Sequence, residues 1–387
     1  MSQPHRLRLP DYYVIEGINA FACTIVGACL FFWTRARYGF SDTENLLLGC
    51  VQGLFYVLVP PLGGRLGDRF GHDRLVLIGT VGMLLAEALL LAVHQRWVPF
   101  LALPIFIAAM SLTWPSLEAA VVIHPGRLST PDRLGLYNVV WACVGAASFF
   151  SAGALFRLAP DAILVAALLA HLGQLAWQLF PRGTQLKAEV ERAPHRGDRV
   201  SRSTKRRFKQ LGWLGNGLGY LMQAGLMTTA PAIGERLGLP PSSAIWMICT
   251  FFVARATAFA LLWRFTGWHY RLPWTLAALA AGPLALAVVF HATLLPLLLL
   301  ALVVFGACIG LGYYGSIYYS LDYGDEKGKH GGWHESIIGL GGLLGPLVGV
   351  AGAAALGDVR GAQLFIVIAA TVFTVSGLTA VLRRTRV

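Results

Sequence analysis

Twelve apolar stretches of about 20 residues recur along this 387-residue chain. They fall at 12–33, 43–63, 75–94, 98–122, 134–156, 161–180, 211–233, 243–263, 273–292, 295–319, 332–356 and 361–382. A helix of that length covers the hydrocarbon thickness of a bilayer, about 30 Å. Only 13% of the residues are charged, against about 25% in a soluble domain, so lipid is the solvent for most of the surface. Backbone polar groups in lipid must be satisfied within the chain, which leaves helices or closed barrels. The alternating 10-residue segments of a barrel are absent. The expected fold class is therefore an all-α integral membrane protein with twelve transmembrane helices.

Basic residues set the orientation. With the amino terminus inside and the runs alternating in direction, 24 of the 31 Lys and Arg residues fall on the cytoplasmic side. Arg35, Arg37, Arg96, Arg157, Arg236 and Arg360 fall outside, and Arg255 lies within a run. Both termini are expected in the cytoplasm, with the chain in the plasma (inner) membrane. The net charge of +12 is then a topological signature that points to anionic lipid at the cytoplasmic face and away from nucleic acid. Arg6 and Arg8 precede the first run as in a signal peptide, but that run contains Glu16 and lacks a clear small-residue cleavage site, so a retained helix is expected. The six cysteines fall inside runs with no Cys-x-x-Cys pair, and His330 and His334 lack a third ligand. Neither disulfide nor metal is indicated.

Residues 182–209 hold ten basic residues and no apolar period, as expected of a basic cytoplasmic linker. The expected organisation is 1–181 as one six-helix bundle and 210–387 as another. An offset of 197 residues pairs Asn19 with Asn216, Arg74-Leu75 with Arg271-Leu272, Gly135 with Gly332 and Gly145 with Gly342, which favours internal duplication.

Between the second and third runs stands Gly64-Arg65-Leu66-Gly67-Asp68-Arg69-Phe70-Gly71, a charged turn that must lie at a membrane surface. Together with the six-plus-six arrangement and the basic middle loop, it resembles the major facilitator superfamily over the whole chain. The match runs from Gly64 through Gly71; His72 and Asp73 then replace two customary basic residues before Arg74. The resemblance implies two pseudo-symmetric six-helix bundles, alternating access to a central cavity lined by the first, fourth, seventh and tenth helices, and a monomer. It also implies a gating motif of Gly64, Asp68, Arg69, Gly71 and Arg74, with Asp68 meeting the amino end of the eleventh helix when the carrier opens outward.

Ionisable groups within spanning helices are expensive and mark sites by default. Arg255 sits near mid-membrane and needs an anion, supplied either by Glu16 or Glu118 or by a substrate. Glu16 and Asn19 share one face of the first helix, and Asn216, Tyr220 and Gln223 share one face of the seventh; they either line the cavity or join helices. Gln52 is a further polar candidate. Tyr314 and Tyr318 form a stripe that either stacks on substrate or packs. Glu87 is a further buried-charge candidate, while Glu16, Glu118, His334 and Glu335 are the proton-coupling candidates. Glu335 is expected in the first turn of its helix, where the dipole favours an anion.

No nucleotide motif survives its context, because Gly310-x-Gly312-x-x-Gly315 lies inside an apolar run. No cofactor and no enzyme activity are expected. The expected function is secondary active transport of a small organic solute by alternating access, coupled to protons, with export as the first reading. Proton-driven uptake, a lipid flippase on the same fold and a non-transporting regulator are the alternatives.

Overall fold

The computed structural model describes residues 7–124, 128–180, 200–323 and 327–383. Among these residues thirteen helices follow one another and no strand occurs: α1 (Leu9–Tyr38), α2 (Asp42–Leu58), α3 (Pro60–Phe70), α4 (His72–Ala92), α5 (Val98–Ile123), α6 (Thr130–Leu158), α7 (Ala162–Leu179), α8 (Arg202–Arg236), α9 (Pro241–Arg264), α10 (Leu272–His291), α11 (Leu295–Tyr323), α12 (Lys327–Leu356) and α13 (Val359–Arg383). α2 and α3 make one span, Asp42–Phe70, interrupted where Pro60 lacks the amide that would bond into the preceding turn. Ten such elements are long and apolar enough to cross a membrane, and α1, bent by 43°, makes an eleventh. α8 has the length, but Asn216, Gln223 and its basic first turns lower its apolarity. The twelve runs thus correspond to these eleven elements and α8.

Helix ends explain where the chain turns. Gly39 adopts φ 64 and closes α1 by donating its N–H to Arg35 and Thr34 carbonyls. Two residues later Ser41 and Glu44 form a reciprocal cap that starts α2. Arginines on this side have local partners. Arg96 grips Glu44 at 2.7 and 2.9 Å, and Arg236 donates to the carbonyls of Phe290, Val289 and Ala292 at the end of α10. These contacts explain why basic residues occur on the sparsely charged face.

Three local expectations change. Residues 202–209, expected within the linker, are the first turns of α8, because the Ser201 hydroxyl accepts from the Thr204 amide and starts the helix there. Residues 182–199 of that linker lie outside the described residues. The 64–71 motif is mostly helix: α3 runs to Phe70, and the turn itself is Gly71 at φ 95, a conformation that needs glycine. At Gly64 nothing lies within 4 Å of a Cβ position, so this glycine does not serve close packing here. Finally, α12 starts at Lys327, which places Glu335 inside the helix rather than in its first turn.

The two replacements after Gly71 have structural work. His72 lies 3.6 Å from Asp68, and Asp73 accepts a 2.8 Å hydrogen bond from Tyr12, joining α4 to α1. The Asp68 side chain is 81% exposed, and no hydrogen bond to it from α12 is present among the described residues. In this arrangement the motif is not engaged as expected for an outward opening.

The helices before and after residue 200 meet along two seams, α2 with α12 and α6 with α9. The 197-residue offset exchanges these seams, since it carries α2 onto α9 and α6 onto α12. Small residues allow the contact. The Cβ position of Gly53 lies 2.3 Å from the Leu343 amide nitrogen, and that of Gly135 lies 2.6 Å from the Trp263 ring. At the end of the bundle away from the basic residues, Arg35 bridges Asp42 at 2.5 Å and Glu235 at 2.6 Å, tying α1 to α8. The outer surface is studded with exposed leucines such as Leu85, Leu158 and Leu169, as a lipid-facing wall requires.

Candidate substrate cavity

A cavity lies between the two sets of helices, with walls from both. Its charged groups are Glu16 of α1, Glu118 of α5, Arg255 of α9 and Glu335 of α12. Helical period explains the convergence. These residues stand on the inward faces of helices whose opposite faces carry apolar side chains, so a charge is placed where lipid cannot reach it.

Glu16 is fully buried and Glu335 is 3% exposed. Glu16 lies against the Tyr137 hydroxyl and the Trp114 indole, while Glu335 accepts a 2.5 Å hydrogen bond from Tyr56 across the α2–α12 seam. Glu118 is within electrostatic reach of both other carboxylates. Among the described residues, no Lys, Arg or His nitrogen comes within 4 Å of any of the three. The three carboxylates therefore gather at one part of the cavity, out of contact with Arg255.

Arg255 is 4% exposed. Of the two alternatives for its anion, Glu16 and Glu118 do not pair with it: neither comes within 4 Å among the described residues. Its Nη1 donates to Gln223 at 3.0 Å, and its guanidinium lies 4.6 Å from the Trp141 ring and 4.8 Å from that of Phe252. Its buried Nε has no hydrogen-bond partner among the described residues. Aromatic faces offset part of the desolvation of a cation, on the order of 2 kcal/mol, and leave its N–H donors able to hold an anion. Tyr220 and Tyr313 lie within electrostatic reach of Arg255 on one side and of Glu118 and Glu335 on the other.

Other expected site residues divide. Gln52, Tyr220 and Gln223 line the cavity. Asn19 and Asn216, the repeat partners, are both buried behind its wall: Asn19 accepts from Cys23, and Asn216 points its amide at His334, 3.3 Å from Nδ1. Both fall behind the wall for the same reason, each turned toward a neighbour within its own half. His334 likewise sits off the cavity against Ser316 at 2.9 Å. Tyr314 and Tyr318 pack around Trp268 and His269, while the next register position, Tyr313, faces inward and stacks on Trp141 at 5.2 Å. The motif residues Gly64, Asp68, Arg69, Gly71 and Arg74 lie at the basic end and do not line the cavity.

Sequence reasoning missed most of the aromatic wall. Tyr137 and Trp141 are four residues apart on α6 and so share a face, a signal that resembled ordinary core spacing. Glu87, another buried charge, bonds His171 at 2.8 Å between α4 and α7, with both side chains fully buried. That pair lies outside the cavity.

The family model described as Major Facilitator Superfamily matches residues 13–346. Comparison with curated protein sequences finds no significant match. Among solved structures, the chain resembles the nucleoside transporter NupG with a TM-score of 0.73 at 12% identity, covering 96% of this chain and 98% of that one. It resembles a structure of proton dependent oligopeptide transporters with a TM-score of 0.72 at 15% identity, covering 98% of each chain. It also resembles a bacterial homolog of the human lysosomal transporter Spinster, inward-facing and unoccupied, with a TM-score of 0.71 at 15% identity, covering 98% of this chain and 96% of that one. At these identities the likeness concerns the fold.

Proposed function

The chain belongs to the Major Facilitator Superfamily, a family of multi-pass membrane transporters rather than enzymes, and from that premise we propose that it exports a small organic solute in exchange for protons by alternating access. One observation carries this reading: Glu16, Glu118 and Glu335 share one cavity with no cationic side chain within 4 Å among the described residues. Three negative charges in a poorly hydrated space repel strongly and need protons or a bound cation. A proton and a positively charged solute group compete for the same oxygens, so arrival of one favours departure of the other. Such competition is the physical basis of exchange. Arg255, Cys23, Tyr56, Tyr137, Tyr220 and Tyr313 are the other titratable groups of the cavity that face these carboxylates or lie within their electrostatic reach.

The two halves, 1–181 and 210–387, act in this reading as the moving bodies of a monomer in the plasma (inner) membrane with both termini cytoplasmic. The basic-residue bias supports that orientation. The Gly64–Gly71 motif resembles a turn that is common to exporters and shared by importers, and export is the first reading on that resemblance. Asp68 and Arg74 would secure the basic end when the other end opens.

Vesicles reconstituted with purified protein test the coupling. An acidic lumen is expected to drive solute accumulation, about tenfold per pH unit for one-for-one exchange. Glu118→Gln and Glu335→Gln are each expected to lose this drive, with gradient-independent solute exchange persisting only at higher solute concentration, because the same oxygens hold the solute's cationic group. Flux indifferent to the gradient would overturn proton coupling, and accumulation driven by an acidic exterior would establish uptake instead.

A further inference from the structure

The cavity has two poles, and the exchange reading uses only one of them. Resting on that reading's site, we propose that the cavity's substrate is an amphoteric molecule with an apolar, planar body, a cationic amine held by the glutamates and an anionic group held by Arg255. Arg255 is 4% exposed, lines the cavity, and meets no carboxylate within 4 Å among the described residues. Its guanidinium is already oriented, with Gln223 holding Nη1 at 3.0 Å and the Trp141 ring beneath it at 4.6 Å. A planar, fixed guanidinium with free N–H donors matches a carboxylate or phosphate better than a neutral group.

The opposite pole has the opposite chemistry. Glu16, Glu118 and Glu335 offer acceptor oxygens, with Tyr56 and Tyr137 able to donate only one proton each. An ammonium group brings three donors and a positive charge to that cluster. Between the poles the wall is aromatic. Trp114 and Trp141 meet edge to face at 6.3 Å, and Tyr313 stacks on Trp141 at 5.2 Å. A flat apolar body fits that wall, because aromatic faces favour stacking over hydrated groups. A purely cationic solute would leave Arg255 facing a like charge, and a purely anionic one would meet three carboxylates. A molecule carrying both signs satisfies both ends without protons on the glutamates.

Calorimetric titration of the detergent-purified protein with two matched sets of probes tests this. One set is tryptophan, tryptophanamide, indole-3-propionate and indole-3-propionamide. The second is glycyl-tryptophan with its amide, its N-acetyl form and its N-acetyl amide. In at least one set the doubly charged probe is expected to bind about tenfold more tightly than either singly charged relative, the value of one charge-assisted contact. Arg255→Gln should abolish the preference for the acid, and Glu118→Gln together with Glu335→Gln the preference for the amine. If in neither set the doubly charged probe binds more tightly than both relatives, the inference is overturned, whichever single charge wins. The titration uses no gradient. Loss of proton drive in vesicles would therefore sink the exchange reading alone, and lack of charge preference would sink this inference alone.

Discussion

Transport of any solute that stabilises the wild-type protein is expected to fall about ten- to a hundredfold at low concentration in Arg255→Ala, because a charge-assisted contact to a buried group contributes about 1.5–3 kcal/mol. The loss should appear as a raised KM with a smaller change in kcat, as for a group that binds solute in every state of the cycle. Arg255→Lys should recover part of the affinity. It restores the charge, but not the planar stack on Trp141 and Phe252. Thermal stability offers the control. Arg255 has no carboxylate partner among the described residues, so its removal strands no buried anion and the melting temperature should hold or rise. A variant that melts normally and keeps the wild-type KM would remove Arg255 from the binding site.

The second large effect separates two glycines of similar crowding. A Cβ at Gly345 would lie 2.1 Å from the Leu221 carbonyl oxygen, and one at Gly53 would lie 2.3 Å from the Leu343 amide nitrogen. Backbone cannot yield as a flexible side chain can. Gly345 packs α12 on α8, within the second half of the chain; in the proposed cycle these two helices move as one body. Gly345→Val is therefore expected to cost more than about 3 kcal/mol and to reduce the yield of folded protein severely. Gly53 packs α2 on α12 across a seam between the halves. Halves that rock against each other can part there, so Gly53→Val should remain folded, lose at least about tenfold in flux, and open the seam. A cysteine cross-link between positions 56 and 339, whose residues touch in this arrangement, reads the seam directly. Equal yields and unchanged cross-linking in both variants would contradict the assigned division of moving and fixed contacts.

The architecture was legible because lipid leaves the backbone few choices. Twelve apolar runs of one length, a basic bias on one face and an eight-residue motif were enough to expect the fold. The ends were less legible. Ser201 caps a helix inside what composition marks as a linker, and α12 reaches back to Lys327 through residues too polar for an apolar-run search. Within the site, charge was an effective guide, because a buried charge in a membrane must face a cavity or a partner. It found Glu16, Glu118, Arg255 and Glu335. Uncharged polar groups and aromatics gave less, since Asn216 can satisfy itself against His334 and Tyr314 can pack on Trp268 without any cavity. Whether a tyrosine in a run of four faces inward depends on helix rotation, which apolar residues on every side do not fix. That is why Tyr313, and not its neighbours Tyr314 and Tyr318, reaches the cavity.

The central claim is that one cavity between two halves opens to one face at a time. Its most direct test is the reactivity of Tyr220→Cys, on a background in which the six native cysteines are replaced, toward a membrane-impermeant thiol reagent applied to either face of sealed, uniformly oriented vesicles. Tyr220 lines the cavity between its two charged poles. The account predicts that a solute or pH that raises labelling from one face lowers it from the other in proportion. Labelling that rises from both faces together, or a cysteine unreactive from either under all conditions, would contradict it.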